Sequence, residues 1–194
     1  MMLGDIFTHR LKAYPVPGEK MDKANTIIAY FSRSGENFKV GNVEKGSAEK
    51  IAEIINRLTG IPEYQIVPEK AYPADLSECN KVAREEQQSN ARPALRSALP
   101  DMNNIENIIL VYPNWWSDLP MVVYTFLDGI MKDGLNIYPV CTHEDSGLAM
   151  MERKLSQVYK TAVIGKGIAI RGSVVQSDEP KAEEAISKYL ESIR

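Results

Sequence analysis

The sequence predicts a three-layer α/β domain: a five-stranded parallel sheet of order 2-1-3-4-5 with helices on both faces. Two observations carry this. Near-continuous apolar runs at 26–31, 105–112, 136–141 and 167–170, with a shorter run at 63–68, read as strands, most of them buried on both faces. Between them, apolar residues recur at helical spacing, so strands and helices alternate along the chain. A third feature locates the chemistry. The loops that leave strands one, three and four are polar and rich in small or aromatic residues, and ligands of such sheets bind at the carboxyl ends of the strands.

Taken in order, strand one is Thr26-Ile27-Ile28-Ala29-Tyr30-Phe31, followed at once by Ser32, Arg33, Ser34, Gly35, Glu36 and Asn37. After a polar detour, Gly46-Ser47-Ala48-Glu49 opens a helix whose apolar face is Ala48, Ile51, Ala52, Ile54, Ile55 and Leu58, and Thr59-Gly60 stops it. A strand that delivers small donors to a helix start favours an anion, because free N–H groups and the helix dipole both attract negative charge. Two readings of this turn stand side by side: a phosphate cradle, or an ordinary surface turn with Ser47 as N-cap.

Strand two, 63–68, ends at Pro68, and helix two follows Asp75, its expected N-cap, running from Leu76 to about Asn90. Arg92, beside Pro93, reads first as a solvated charge near a turn and second as a group within reach of a phosphate or cofactor edge. Strand three, 105–112, leads into Tyr112-Pro113-Asn114-Trp115-Trp116-Ser117-Asp118-Leu119-Pro120, which places both tryptophans of the chain side by side. Adjacent loop residues do not both face a core, so one indole belongs at the surface or over a flat ligand. A helix from Met121 to Met131 is expected to break near Gly129 and Gly134. Strand four, 136–141, exits through Thr142-His143-Glu144-Asp145-Ser146-Gly147, a helix spans 148–159, strand five spans 167–170, and Asp178 caps the last helix with Pro180 in its first turn.

The whole chain bounds the function. With 194 residues and a net charge of -3 it has the length of one domain and no long basic run, so neither nucleic acid nor an anionic membrane surface is expected as a partner. Cys79 and Cys141 are far apart and show no metal-ligand spacing. No stretch approaches a membrane span of about 20 apolar residues, and residues 1–23 lack the apolar core of a signal peptide, so the expected location is the cytoplasm. Pro15, Pro17 and Gly18 make residues 1–25 an N-terminal arm preceding a domain at 26–194.

Over 26–194 the chain resembles the flavodoxin-like family, and more closely its larger flavodoxin-type domains found beside NAD(P)H-dependent quinone and flavin reductases. The motifs that carry the resemblance are Tyr30-Phe31-Ser32-Arg33-Ser34-Gly35, Asn90-Ala91-Arg92-Pro93-Ala94-Leu95, Tyr112-Pro113-Asn114-Trp115-Trp116, Cys141-Thr142-His143 with Ser146-Gly147, and Ala169-Ile170-Arg171-Gly172-Ser173. The resemblance implies FMN at the switch between strands one and three. It implies that Ser32 and Arg33, with Ser34 or with Ser47 at the helix entry beside Ala48, hold the phosphate. Pro113, Asn114, Trp115 and Trp116 would line the isoalloxazine. Thr142, His143 and Gly147 would meet its pyrimidine edge, with His143 placed to stabilise negative charge near the reduced ring.

The chain departs from the family's compact Ser-x-Thr-Gly-Asn-Thr turn. Residues 36–45 intervene, Ser47-Ala48 stands where that pattern has Asn-Thr, and Glu36 and Glu44 add negative charge. One lost hydrogen bond to a charged group costs on the order of 1.5 to 3 kcal/mol, about tenfold or more in affinity, so weak FMN binding is expected. The expected function is an FMN redox protein, either an electron carrier with a redox partner protein or a reductase using NAD(P)H and a small-molecule electron acceptor. The alternative is a flavodoxin-fold binding module that has lost or weakened FMN. A homodimer is left open. A response-regulator reading fails because Tyr112-Pro113 stands where an acidic residue is required.

Overall fold

The structure, a computed structural model, describes residues 21–193, so residues 1–20 of the expected arm lie outside the described residues. The chain begins with β1 (Thr26–Tyr30), β2 (Gly35–Asn37), β3 (Gly41–Val43), α1 (Ser47–Thr59), β4 (Glu63–Gln65) and α2 (Leu76–Gln88). It continues through β5 (Asn107–Pro113), α3 (Met121–Ile130), β6 (Asn136–His143), α4 (Met151–Val158), β7 (Val163–Ile164), β8 (Ile168–Arg171), α5 (Gly172–Ser177) and α6 (Glu179–Ile193). Among the described residues no helix is long and apolar enough to cross a membrane.

The sheet runs β4-β1-β5-β6 with all pairs parallel, the predicted order 2-1-3-4. Its fifth position is shared. β7 pairs with the start of β6 at Asn136 and Ile137, and β8 pairs with its end from Val140 to His143. The interruption falls at Tyr138-Pro139, where proline offers no N–H to a ladder and the Gly165 Cα lies so near the Tyr138 ring that a Cβ would come within 2.5 Å of it. Val163-Ile164, absent from the expected set, is the sixth strand.

Strand alternation sorts the core into two layers. Ile27, Ala29, Phe31, Ile108, Leu110, Tyr112 and Ile137 face a cluster that includes Val122, Phe126 and Leu155 of α3 and α4. Ile28, Tyr30, Ile109, Val111 and Val140 face Ile51, Ile55, Ile186 and Leu190 of α1 and α6. Met21, at the end of the expected arm, is buried in this second cluster.

The helix boundaries follow local chemistry. Gly60 ends α1 in the left-handed region at φ 70, its N–H donating to the Asn56 carbonyl at 2.7 Å. Asp75 caps α2 by accepting from the Glu78 N–H at 2.8 Å, and Asp178 accepts from the Lys181 N–H at 3.2 Å at the start of α6. The break expected near Gly129 falls one residue later, where α3 ends at Ile130, and Leu99 packs against the bare Gly129 Cα, within 2.5 Å of where a Cβ would stand. The polar detour after β1 is a hairpin, β2 against β3.

Candidate functional site

Three loops leave the carboxyl ends of neighbouring strands: residues 31–46 after β1, 114–120 after β5 and 144–150 after β6. They enclose a cleft of about 410 Å³ whose lining includes Ser32, Arg33, Ser47, Ala48, Pro113, Asn114, Trp115, Trp116, Thr142 and His143. Two expected residues are not in the lining. Ser34 is exposed outside it, and Gly147 acts from behind it.

At one end α1 begins at Gly46, an N-cap with no side chain to offer, so the first-turn N–H groups of Ser47, Ala48 and Glu49 have no capping acceptor. Beside that N-cap lies the Ser32 hydroxyl, buried and without a hydrogen-bond partner. The two are packed tightly. A Cβ on Gly46 would fall against Ser32 Oγ and within 2.5 Å of the Arg33 carbonyl oxygen. An orphaned buried hydroxyl beside an uncapped helix start lacks an acceptor, and a phosphate supplies one.

The remaining polar groups are less free than their sequence suggested. The Arg33 guanidinium donates to the carbonyls of Pro73 at 2.7 Å and Ala74 at 3.0 Å, and also to that of Glu36, so it bolts the β2–β3 hairpin to the 73–74 segment. Ser47 Oγ donates to the Gly172 carbonyl at 3.3 Å and accepts from Gln176 Nε2 at 3.2 Å. Ala48 is buried on the α1 side of the core. Arg92 stays away from the cleft, bound to Asp128 at 2.5 Å. Glu36 turns to the Leu76 N–H at 3.2 Å and Glu44 is exposed. The carboxylate that does line the cleft is Glu144, which accepts from the Ser173 N–H at 2.7 Å and Oγ–H at 2.8 Å.

The other end is aromatic. Trp115 stands edge-on to Phe31 at 5.3 Å and to Tyr72 at 4.9 Å between ring centroids, whereas Trp116 is 47% exposed. The division follows from a two-residue turn. Trp115 and Asp118 exchange backbone bonds at 3.0 Å in each direction, with Trp116 and Ser117 between them at φ 55 and 60. Non-glycine residues cost about 1 to 2 kcal/mol each in that region. Of the six such residues among the described residues, five lie in the three rim loops, which places stored strain at this site. The turn is anchored from below by buried Asp118, which accepts from Tyr124 Oη at 2.7 Å and pairs with Lys154.

The middle is braced by amides. Asn114 Nδ2 donates to the Gly147 carbonyl at 3.1 Å, and the Gly147 N–H donates to His143 Nδ1 at 3.0 Å. The imidazole is therefore an acceptor at Nδ1, a neutral ring, and burial holds its pKa below the ordinary 6.5 against the opposing pull of Glu144, with Arg171 adding to the lowering and Asp145 opposing it. Protonation at Nδ1 removes that bond. Below pH 6.5 the unfolded chain binds a proton that folded His143 resists, so stability is lost as pH falls through this window and is fully present above it. Thermal unfolding between about pH 8 and about pH 5 is expected to fall more steeply in the wild type than in His143→Gln; parallel profiles contradict the assignment. The thiols are inert: burial pushes Cys141 up to about 12 and also raises Cys79, which lines the cleft.

The sequence profile of a family described as flavodoxin matches residues 25–186. The chain belongs to the flavodoxin family. No curated protein matches its sequence. Among solved structures, a candidate flavoprotein from Bacteroides uniformis ATCC 8492 is 23% identical with a TM-score of 0.68, covering 88% of this chain and 99% of its own. A flavoprotein in complex with FMN from Lactobacillus acidophilus NCFM is 22% identical with a TM-score of 0.60, covering 80% and 97%. At these identities the likeness is one of fold.

For a flavodoxin-family chain the group to test against the site is FMN, and the residues fit it. Ser32 Oγ with the first-turn N–H groups of α1 suits the phosphate, the Trp116 face suits the ring, and the backbone of the 142–147 loop suits a ring edge. Sequence reasoning missed the contributions of Phe38 and Val40 from the hairpin, Leu76, Cys79 and Asn80 from α2, and Glu144. Phe38, 57% exposed, was the one legible signal: the single aromatic of the insertion at 36–45.

Proposed function

We infer that this chain is an FMN-binding redox protein and that it works as a reductase, passing electrons from NAD(P)H to a small flat acceptor. The observation that carries the FMN reading is the buried, partnerless Ser32 hydroxyl beside the uncapped start of α1 in the same cleft as an exposed indole. Bound flavin supplies the electron chemistry; the protein binds, orients and shields it.

Three features favour a reductase over a dedicated carrier. The net charge of -3 gives no strongly acidic docking face. Phe38 and Trp116 leave exposed aromatic surfaces on two of the rim loops, suited to a flat apolar molecule. The hairpin is tied to a second rim loop, Lys39 pairing with Asp145 of the β6 exit loop at 2.7 Å. Both partners are exposed, so the pair contributes little to stability and weakens with salt.

The weakened-cofactor reading has one observation behind it. A Cβ on Gly172 would stand 3.1 Å from Ser47 Oγ and 3.2 Å from Glu144 Oε1, which sets a carboxylate close to the helix entry. Oxidation of NAD(P)H by the FMN-loaded protein in the presence of a quinone is expected to turn over many times. Flavin binding with no turnover leaves a carrier, and absence of flavin binding leaves the non-redox module.

A further inference from the structure

Among the described residues, the contacts that hold the Trp116 indole and its carbonyl come from α2. Its indole Nε1–H donates to the Asn80 carbonyl at 3.3 Å, and the Arg84 guanidinium lies over the ring 4.8 Å from its centroid. Its backbone carbonyl accepts from Gln87 Nε2 at 3.2 Å, and Gln87 in turn accepts from Arg84 at 3.2 Å through its Oε1. Three residues on one helix thus fix one exposed tryptophan at ring nitrogen, ring face and main chain. Packing does not explain this, because the side chain remains 47% exposed and the turn beneath it sits at φ values that tryptophan and serine rarely adopt.

A free indole at a loop tip samples several rotamers, and ordering it on binding costs affinity. A cation over one face holds the ring in place and leaves the other face for a ligand. We propose that Arg84, with Asn80 and Gln87, is a positioning residue that presets the Trp116 indole as the stacking face of the cleft. Arg84 itself touches no ligand; it acts through the indole. Its guanidinium also sets a positive charge behind the ring, which favours electron-rich character in whatever stacks in front. The proposal rests on the FMN reading for its ligand, while the clamp exists without one.

The test is a double-mutant cycle read by FMN fluorescence quenching, together with a measurement on the ligand-free chain. Arg84→Ala is expected to weaken FMN binding about two- to fivefold in the wild-type background and not at all in the Trp116→Ala background. Arg84→Lys, which keeps the charge without the planar stack, restores part of the loss. In ligand-free protein carrying Trp115→Phe, where Trp116 is the sole tryptophan, Arg84→Ala is expected to raise acrylamide quenching and lower the emission anisotropy. An equal loss of affinity in both backgrounds overturns the proposal, as does unchanged quenching in the ligand-free chain. If the wild type binds no FMN, the cofactor reading falls, and the ligand-free measurement alone decides the clamp.

Discussion

Gly46→Ala is expected to remove most of the grip on the FMN phosphate while leaving the ring site intact. Gly46 sits at φ -68 and ψ 157, an extended conformation open to any residue, so the effect comes from the added methyl and not from the backbone. That methyl would meet Ser32 Oγ and stand 2.5 Å from the Arg33 carbonyl oxygen and 3.0 Å from its nitrogen, and two of these atoms are backbone that cannot rotate aside. The turn and the helix start must part, which spoils the alignment of Ser32 with the first-turn N–H groups. Losing one charge-assisted bond weakens FMN by about tenfold, and losing two by about a hundredfold or more. The ligand-free protein should lose about 1 to 3 kcal/mol of stability from overpacking. Titration of the variant with FMN and with riboflavin separates the effects: the FMN affinity drops and the riboflavin affinity does not. An unchanged FMN affinity contradicts a phosphate at this helix.

The two adjacent tryptophans should answer to different assays. Trp115 completes a cluster of three rings, Phe31 and Tyr72 meeting each other at 5.6 Å and each meeting the indole edge-on. Its truncation to alanine opens a partly buried hole and costs about 3 kcal/mol, near the lower end of the range for aromatic-to-alanine changes. For a domain of this size that lowers the melting temperature by about 6 to 12 °C. Trp116 is exposed and held by a cation and one indole hydrogen bond, so Trp116→Ala changes stability by no more than about 1 kcal/mol. Its loss falls on the ligand, about tenfold in FMN affinity from the missing stack. Thermal unfolding and flavin titration of both variants check the division. A destabilised Trp116→Ala with normal flavin binding reverses the two roles and contradicts the site.

The sequence yielded the strands and helices because buried parallel strands are continuous apolar runs and helices carry their own start and stop signals, as Asp75 and Asp178 at the starts and Gly60 at an end illustrate. It failed where those signals are missing. β2 and β3, Gly35-Glu36-Asn37 and Gly41-Asn42-Val43, have no apolar alternation, since neither face of that hairpin packs on a core. β7 is two residues long, below any periodic signal. The glycine at 129 did mark the end of α3, but its second role as a packing contact was not legible, because Leu99, the residue that fills its place, lies far away in sequence.

The site divides the same way. Its three loops were legible from their position after apolar strands, and the separation of the tryptophans into one packed and one exposed followed from adjacency alone. How each polar group is used was not legible. Arg33 and Ser47 look like phosphate ligands in sequence, yet the guanidinium is taken by Pro73 and Ala74 and the hydroxyl by Gly172 and Gln176, partners that only tertiary folding brings near. The acidic residue to watch likewise proved to be Glu144, not Glu36 or Glu44. Contributions from α2 had no local pattern, because Leu76, Cys79 and Asn80 reach the cleft from an otherwise polar helix.

The most direct measurement compares FMN with riboflavin, which carries the same ring without the phosphate, by fluorescence quenching against the wild-type chain. A cradle of the Ser32 hydroxyl and uncapped N–H groups predicts saturable FMN binding that is tighter than riboflavin binding by about a hundredfold or more. Equal affinity for the two, or no saturable binding of FMN at all, would contradict the account.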